Sequence, residues 1–267
     1  MNKLPLSEAE KQSPLAEYYD REDPKPGILE QMLLDMGPMD PSDAIPAERF
    51  TDLALHAETY YKKEFGYCMF DDRRGYIANY LKWTSLPGDM TRWWYSFINI
   101  NQKGVGKENG CLHYKIWYPS EHFDHGFING VDRHGGVYGL DYTKDGQLIR
   151  TDRFQLDITQ FGVSPERAEE LKQKGYMLDC AWETGEGGMH LSLNMTYRCL
   201  DGTVEKRTRT WIGYGVKDGK IIKDPDACCT EQMLYNMLAH QNAEGRYMEK
   251  LVPEIYEKYA SLPADAI

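Results

Sequence analysis

The chain lacks any apolar run approaching the roughly 20 residues that a membrane-crossing helix requires. Its opening residues, Met1-Asn2-Lys3-Leu4-Pro5-Leu6-Ser7, lack the charged-then-apolar pattern of a secretory leader. A cytoplasmic, soluble protein is therefore expected. The chain is also short of positive charge, with 31 Lys+Arg against 42 Asp+Glu and a formal charge of −11. Without clustered Lys/Arg it has no electrostatic footprint for nucleic acid or for an anionic membrane. None of the six cysteines (Cys68, Cys111, Cys180, Cys199, Cys228 and Cys229) forms a C-x-x-C pair. Buried, reduced thiols are the expectation, with no disulfide framework and no thiolate metal knuckle. No repeat or low-complexity tract is present.

What is present is length and aromatic surface. A chain of 267 residues can bury roughly three quarters of its unfolded surface and needs no staple merely to fold. Nineteen Tyr and six Trp are many for that length, and tyrosine joins a polar tip to an apolar body. That composition suits a pocket for a ring-containing ligand.

Residues 1–65 read as a separate N-terminal part. Pro24, Pro26, Pro38, Pro41 and Pro46 punctuate it, leaving helical stretches over about 28–36 and 47–64. From 66 to 267 the pattern becomes that of an α+β domain. Ile77, Leu81 and Trp83 share parity in a strand over 75–85, and Met90, Trp93, Trp94 and Phe97 form one face of a helix. Strands follow over 112–118, 136–143, 147–158, 177–184, 188–199 and 203–215. Asp145-Gly146, Asp201-Gly202 and Asp218-Gly219 mark hairpin turns. Ser164-Pro165 opens a short helix that Gly175 closes. A last helix begins near Thr230, meets Pro253 and continues to Ala260. An early helix, an antiparallel meander and a long closing helix make the helix-grip (START/Bet v-like) order, in which a curved sheet wraps the closing helix and leaves a cavity.

Three places could carry chemistry. On the closing helix, Met233, Met237, His240, Glu244, Met248 and Leu251 form a single stripe whose apolar members face the core. His240 and Glu244 are thus set one turn apart on a buried face. A buried carboxylate is costly unless it is paired or holds a cation, so H-x-x-x-E reads either as two metal ligands or as a hydrogen-bonded pair beside a polar pocket. Gly245 follows at a cost of about 1 kcal/mol against Ala, which calls for a local reason. The second place is His113 to His125, with three histidines and two carboxylates in thirteen residues. There Pro119 ends the strand, and His122 and His125 fall on a loop that is either a site rim or a polar surface. The third is the late pair of strands. Polar residues on both faces (His190, Ser192 and Asn194; Lys206 and Thr208 against Arg207 and Arg209) predict one solvent face and one wet cavity wall. His190 alone reads more readily as a structural histidine.

Several segments together resemble one family. Gly66-Tyr67-Cys68-Met69-Phe70 and Met90-Thr91-Arg92-Trp93-Trp94-Tyr95 are similar to its early strand and double-Trp helix. Trp117-Tyr118-Pro119-x-x-His122 resembles its W-H-P-x-x-H segment, Met189 to Gly213 its late hairpin, and His240-x-x-x-Glu244 its closing helix. The family is that of phloretin hydrolase and 2,4-diacetylphloroglucinol hydrolase, and the resemblance covers about residues 47–260. It implies a helix-grip domain behind a helical N-terminal part, a Zn2+ cofactor, an acylated polyphenol as substrate and a role in flavonoid degradation, with a homodimer as an allowed assembly.

Carried over by position, the resemblance makes His122, His240 and Glu244 zinc ligands. Tyr114, His125 and His190 become catalytic or substrate-facing groups, and Asn194 joins the substrate wall. The family's middle glutamate ligand has no counterpart, because no Glu occurs from Phe123 to Pro165. Asp152 is the expected substitute and Asp157 the second choice. Hydrolysis of an aryl ketone first protonates the ring carbon, and water then attacks the acyl carbonyl. Tyr114 with His125 or His190 would relay that proton, while the metal would polarise the carbonyl or acidify water. The reading from another class is a helix-grip binding protein that holds an aromatic ligand without turnover and needs no stoichiometric metal.

Overall fold

The computed structural model describes residues 3–98, 109–127, 137–142 and 146–262. Ten strands, β1 (Gly66–Met69), β2 (Gly75–Trp83), β3 (His122–Phe127), β4 (Val137–Tyr142), β5 (Leu148–Gln155), β6 (Tyr176–Gly185), β7 (Gly188–Arg198), β8 (Val204–Ile212), β9 (Tyr214–Lys217) and β10 (Lys220–Lys223), form two sheets. The large one is antiparallel in the order β1-β2-β8-β7-β6-β5-β4-β3, and β9 and β10 form a separate ribbon. Helices are α1 (Glu8–Lys11), α2 (Ala16–Tyr19), α3 (Ile28–Asp35), α4 (Asp52–Leu55), α5 (Gly88–Phe97), α6 (Leu112–Lys115), α7 (Pro165–Gln173) and α8 (Glu231–Tyr259). This is an α+β fold with a large sheet and a long C-terminal helix. Among the described residues no helix is long and apolar enough to cross a membrane.

Local chemistry explains most boundaries. Thr230 caps α8 by accepting from the Met233 N–H, and Ser164 caps α7 with Pro165 behind it. The Asp218-Gly219 turn has both residues at positive φ, the twist a two-residue hairpin needs. Asp145 of the expected Asp145-Gly146 turn lies outside the described residues, as do positions 136 and 143 at the ends of β4.

Helix α8 lies across β1 and β2 and packs with α5. Trp83, Leu81, Trp94, Phe97, Trp117, Met248, Leu251 and Val252 form the core between them. The reason for Gly245 is here. A Cβ at that position would stand 2.2 Å from Leu81 Cδ1, and the Trp83 indole N–H donates to the Gly245 carbonyl at 2.8 Å. The helix approaches the strand too closely for any side chain.

Three expectations are corrected. Residues 112–115 form a helical turn, not a strand, and His122 and His125 stand on β3, not on a loop. The stretch 47–64 is not one helix: a single 3-10 turn at Ala47–Arg49 and the four residues of α4 are its helical pieces. Nor does the Arg207/Arg209 face of β8 meet solvent. Phe50, Leu53 and Ala54 pack against Trp211 and Tyr76 on that face, and the Trp211 indole donates to the Ile45 carbonyl. Arg207 and Arg209, at 3% and 0% exposure, share the Glu64 carboxylate. A buried guanidinium pair would be costly without that partner.

Candidate metal centre and cavity

Between the sheet and α8 lies a cavity of about 550 Å3. Alternation places its walls. Val137, Gly139 and Asp141 of β4 pair with Arg153, Thr151 and Ile149 of β5, and all six line it. The register of β3 against β4 shifts between His122 and Asp124, a bulge that inserts one residue. That extra residue brings His122 and His125, three apart, to the same side of the strand. From α8, Met237, His240, Gln241 and Glu244 complete the wall.

At one end three ligand atoms converge. His122 Nε2 and His240 Nε2 are 3.2 Å apart, and Glu244 Oε2 lies 3.3 Å from the first and 3.7 Å from the second. The other ring nitrogens fix the tautomers. His122 Nδ1 faces the Tyr114 carbonyl at 3.4 Å, and His240 Nδ1 faces Glu121 Oε2 at 2.6 Å. Each acceptor calls for the proton on Nδ1, which leaves a lone pair on both Nε2 atoms. Two lone pairs and a carboxylate oxygen at such separations repel unless a proton or a metal cation lies among them. For metal–ligand bonds of about 2.0–2.1 Å, a tetrahedral edge is roughly 3.3 Å, and the three observed separations fit it. This His-His-Glu group can hold a metal ion.

The surroundings stiffen the group. Tyr114 stacks on His122 with ring centroids 4.0 Å apart, Tyr118 stacks on His240 at 4.9 Å, and the Trp117 indole donates to the Glu244 carbonyl at 3.0 Å. The field favours positive charge. Burial disfavours a charged His240 ring, but the Glu121 hydrogen bond and the Glu244 and Asp141 charges outweigh it and raise its pKa to about 9.

Asp141 is a further carboxylate beside this group, with no local sequence signal that marks it. It pairs with His122 across the β3–β4 ladder, so the two side chains are neighbours. Tyr114 Oη donates to its Oδ2 at 3.3 Å, while its Oδ1 is buried with no hydrogen-bond partner. Burial raises its pKa, against the pull of His122 and His240. Asp152 is not brought to this group. Its neighbours Thr151 and Arg153 line the cavity, so Asp152 points to the other face, where it takes Arg150 at 3.1 Å. Asp157 caps a 3-10 turn by accepting from the Thr159 N–H. Glu121, one of the two carboxylates of the His113–His125 cluster, orients His240.

The other predicted residues divide in two. Tyr114, His125 and His190 line the cavity. Burial holds the His125 imidazole neutral, with its pKa near 4, and its Nδ1 has no protein partner. His190 Nε2 donates to the Glu186 carbonyl at 2.6 Å, which leaves Nδ1 facing Glu183 Oε1 at 3.7 Å. Asn194 shares the cavity side of β7 but stands behind Asp179, to which it donates at 3.2 Å. Arg153, clamped by Asp179 at 2.7 Å and Glu183 at 3.7 Å, completes a polar wall opposite the histidines. The wet interior expected from the polar strands is this wall.

Residues 47–135 match the family model described as the DAPG hydrolase PhiG domain. The match runs from the N-terminal wrap through His122 and bears out the resemblance to the DAPG and phloretin hydrolase family. No curated protein matches the chain. Among solved structures, an uncharacterized protein from Rhizobium leguminosarum is 12% identical, with 66% of this chain and 98% of that chain covered and a TM-score of 0.29. That likeness is too weak to bear on fold or function.

Proposed function

We propose that this chain, which belongs with the DAPG and phloretin hydrolases by its match over residues 47–135, is a zinc-dependent hydrolase of carbon–carbon bonds. The bond cleaved joins an acyl group to a phloroglucinol-type ring, as in phloretin or an acetylphloroglucinol. The observation that carries the reading is the meeting of two imidazole nitrogens and one carboxylate oxygen at one end of a cavity of about 550 Å3. His122, His240 and Glu244 would hold the ion, with Asp141, in place of the family's middle glutamate, as the fourth ligand. Its orphaned, buried Oδ1 beside His122 supports that assignment over Asp152. Two His and two carboxylates form a neutral site with a divalent cation, within zinc's N/O repertoire. The architecture is read as helix-grip, with α8 held against the curved sheet and the cavity between them.

When bound, zinc supplies a Lewis acid that polarises the acyl carbonyl or lowers the pKa of water towards about 7. The rest falls to the chain. Burial, with the Asp141 and Glu244 charges, keeps the Tyr114 phenol protonated far into alkali, with its proton directed to Asp141. The remaining lone pair on Oη would accept from a ring hydroxyl beside the histidines. His125, neutral at physiological pH, accepts a proton from a ring hydroxyl. His190, with its tautomer set by the Glu186 carbonyl, serves the opposite rim of the ring. Trp117, Ile98 and Tyr95 also line the cavity, with Trp117 against the His122 ring. Overall, one water is consumed: its hydroxyl joins the acyl carbon and a proton joins the ring carbon.

Incubation of the purified protein with phloretin, followed by chromatography, should yield phloroglucinol and the phenylpropionate. Elemental analysis should find about one zinc per chain, and His240→Ala should abolish both zinc and product. A ligand carrier without turnover would bind phloretin and release it unchanged.

A further inference from the structure

The cavity has an electrostatic problem. Its wall carries Glu121, Asp141, Asp179, Glu183 and Glu244. Its one permanently charged cation among the described lining residues, Arg153, is already engaged by Asp179 and Glu183. Bond cleavage from an acylated phenol leaves negative charge on ring oxygens. Such a wall would repel that charge.

Lys206 answers it. On β8 the alternation that sends Arg207 and Arg209 outward to Glu64 turns Lys206 and Thr208 to the cavity side. Thr208 there donates to Asn194, which donates to the lining Asp179. The Lys206 ammonium lies 3.3 Å from Tyr95 Oη and 5.8 Å from the centre of that ring. Among the described residues no carboxylate is within ion-pair distance of it, although Glu244 and Asp179 act on it through space. Burying a lysine head in this way is costly, and its stem alone would pack as well as a methionine. An ammonium only donates, so Tyr95 Oη accepts from it and the phenol becomes a stronger donor in turn. Tyr95 lines the cavity.

We infer that Lys206 is a positioning residue that acts through Tyr95 as the anion-stabilising pole of the cavity, so that the Tyr95 hydroxyl donates to a ring oxygen of a phenolic substrate as that oxygen gains negative charge. The inference deepens the hydrolase reading above and rests on it for the reaction, but not for the binding test. Preorganised donors aimed at developing charge are the strongest single device an active site has.

The test uses the full-length, zinc-loaded chain with Lys206→Met, Lys206→Arg and Tyr95→Phe variants. The probe is 4-nitrophenol, whose ionisation in the bound state is followed by absorbance across pH. The wild type should hold the probe as phenolate at about tenfold lower hydroxide activity than Lys206→Met does. Lys206→Arg should keep most of that shift, and zinc content should be unchanged in all three variants. With phloretin, Lys206→Met should lose kcat by tenfold or more with KM altered less than threefold. An equal phenolate fraction in wild type and Lys206→Met overturns the inference, as does a wild type that binds no probe. Should Lys206→Met fail to fold, Tyr95→Phe, which keeps the ammonium, decides: an unshifted probe again overturns it. A wild type that shifts the probe but cleaves no phloretin sinks the hydrolase reading and leaves Lys206 in place. Cleavage with no change in Lys206→Met does the reverse.

Discussion

Gly245→Ala is the sharpest perturbation this fold offers. The new methyl would begin 2.2 Å from Leu81 Cδ1, well over an ångström inside van der Waals contact. Leu81 cannot swing aside, because it is 1% exposed and enclosed by Trp83, Trp94, Met248 and Leu251. Helix propensity favours alanine by about 1 kcal/mol. Overpacking in a closed core costs about 1–3 kcal/mol. The clash should win, for a net loss of up to about 2 kcal/mol, or up to roughly 8 °C in melting temperature for a chain of this size. The substitution also presses α8 away from β2 one residue from Glu244, so zinc affinity should fall with stability. Thermal unfolding and zinc titration of the single variant measure both effects. The control is the double variant with Leu81→Ala. Leu81→Ala alone should cost about 2–5 kcal/mol, but in that background Gly245→Ala should become neutral or stabilising by up to about 1 kcal/mol. If Gly245→Ala raises the melting temperature on its own, or costs the same in both backgrounds, close approach is not the reason for the glycine.

Further outcomes follow from the same geometry. Asp141→Asn should weaken zinc binding, whereas Asp152→Asn should leave it unchanged in competitive chelator titration; the opposite order would restore Asp152 as the ligand. Glu121→Gln removes the carboxylate that orients His240 and should cost about 10- to 100-fold in metal affinity by the same titration, with the fold intact by circular dichroism. His113, packed on Phe97 outside the cavity, is held neutral by burial with its pKa lowered to about 4. The unfolded chain takes up this proton near pH 6.5 and the folded chain does so only near 4, so stability is complete above 6.5 and is lost as pH falls between those values. Denaturant unfolding at pH 7.5 and 4.5 should therefore show about 2–3 kcal/mol more acid loss in wild type than in His113→Phe; equal losses would show that His113 is not the group responsible.

The elements that sequence pattern revealed are those governed by local periodicity. The stripe on α8 put His240 and Glu244 on one line beside a glycine, and the structure sets that line along the cavity. What stayed hidden was non-local. Asp141 becomes a neighbour of His122 through a ladder across two strands, and nothing at a distance of nineteen residues in the chain signals it. Asp152 attracted notice by its place after the first histidine, but alternation turns it outward. The segment 112–118 is rich in aromatic residues (Tyr114, Trp117 and Tyr118) and reads as a strand. Yet Gly110 at φ +68 and the Cys111 N–H bond to Phe123 tuck it into a buried helical turn, a tertiary override of propensity. Likewise Arg207 and Arg209 look like solvent residues until Glu64, some 140 positions earlier, covers them.

The two indole donors set a condition on how an ion would arrive. Trp83 and Trp117 donate to adjacent carbonyls, Gly245 and Glu244, while Glu121 and the Tyr114 carbonyl fix both imidazoles. His122, His240 and the helical turn that carries Glu244 are thus anchored by contacts that do not involve metal. In a zinc finger the ion assembles its own ligands and chelation unfolds the domain. Here the lock exists before the key, so treatment with a strong chelator should silence the protein while leaving its circular dichroism nearly unchanged, and added zinc should restore it without a refolding step. Loss of helical signal on chelation would mean that the ion, and not the tryptophans, holds this turn of the helix.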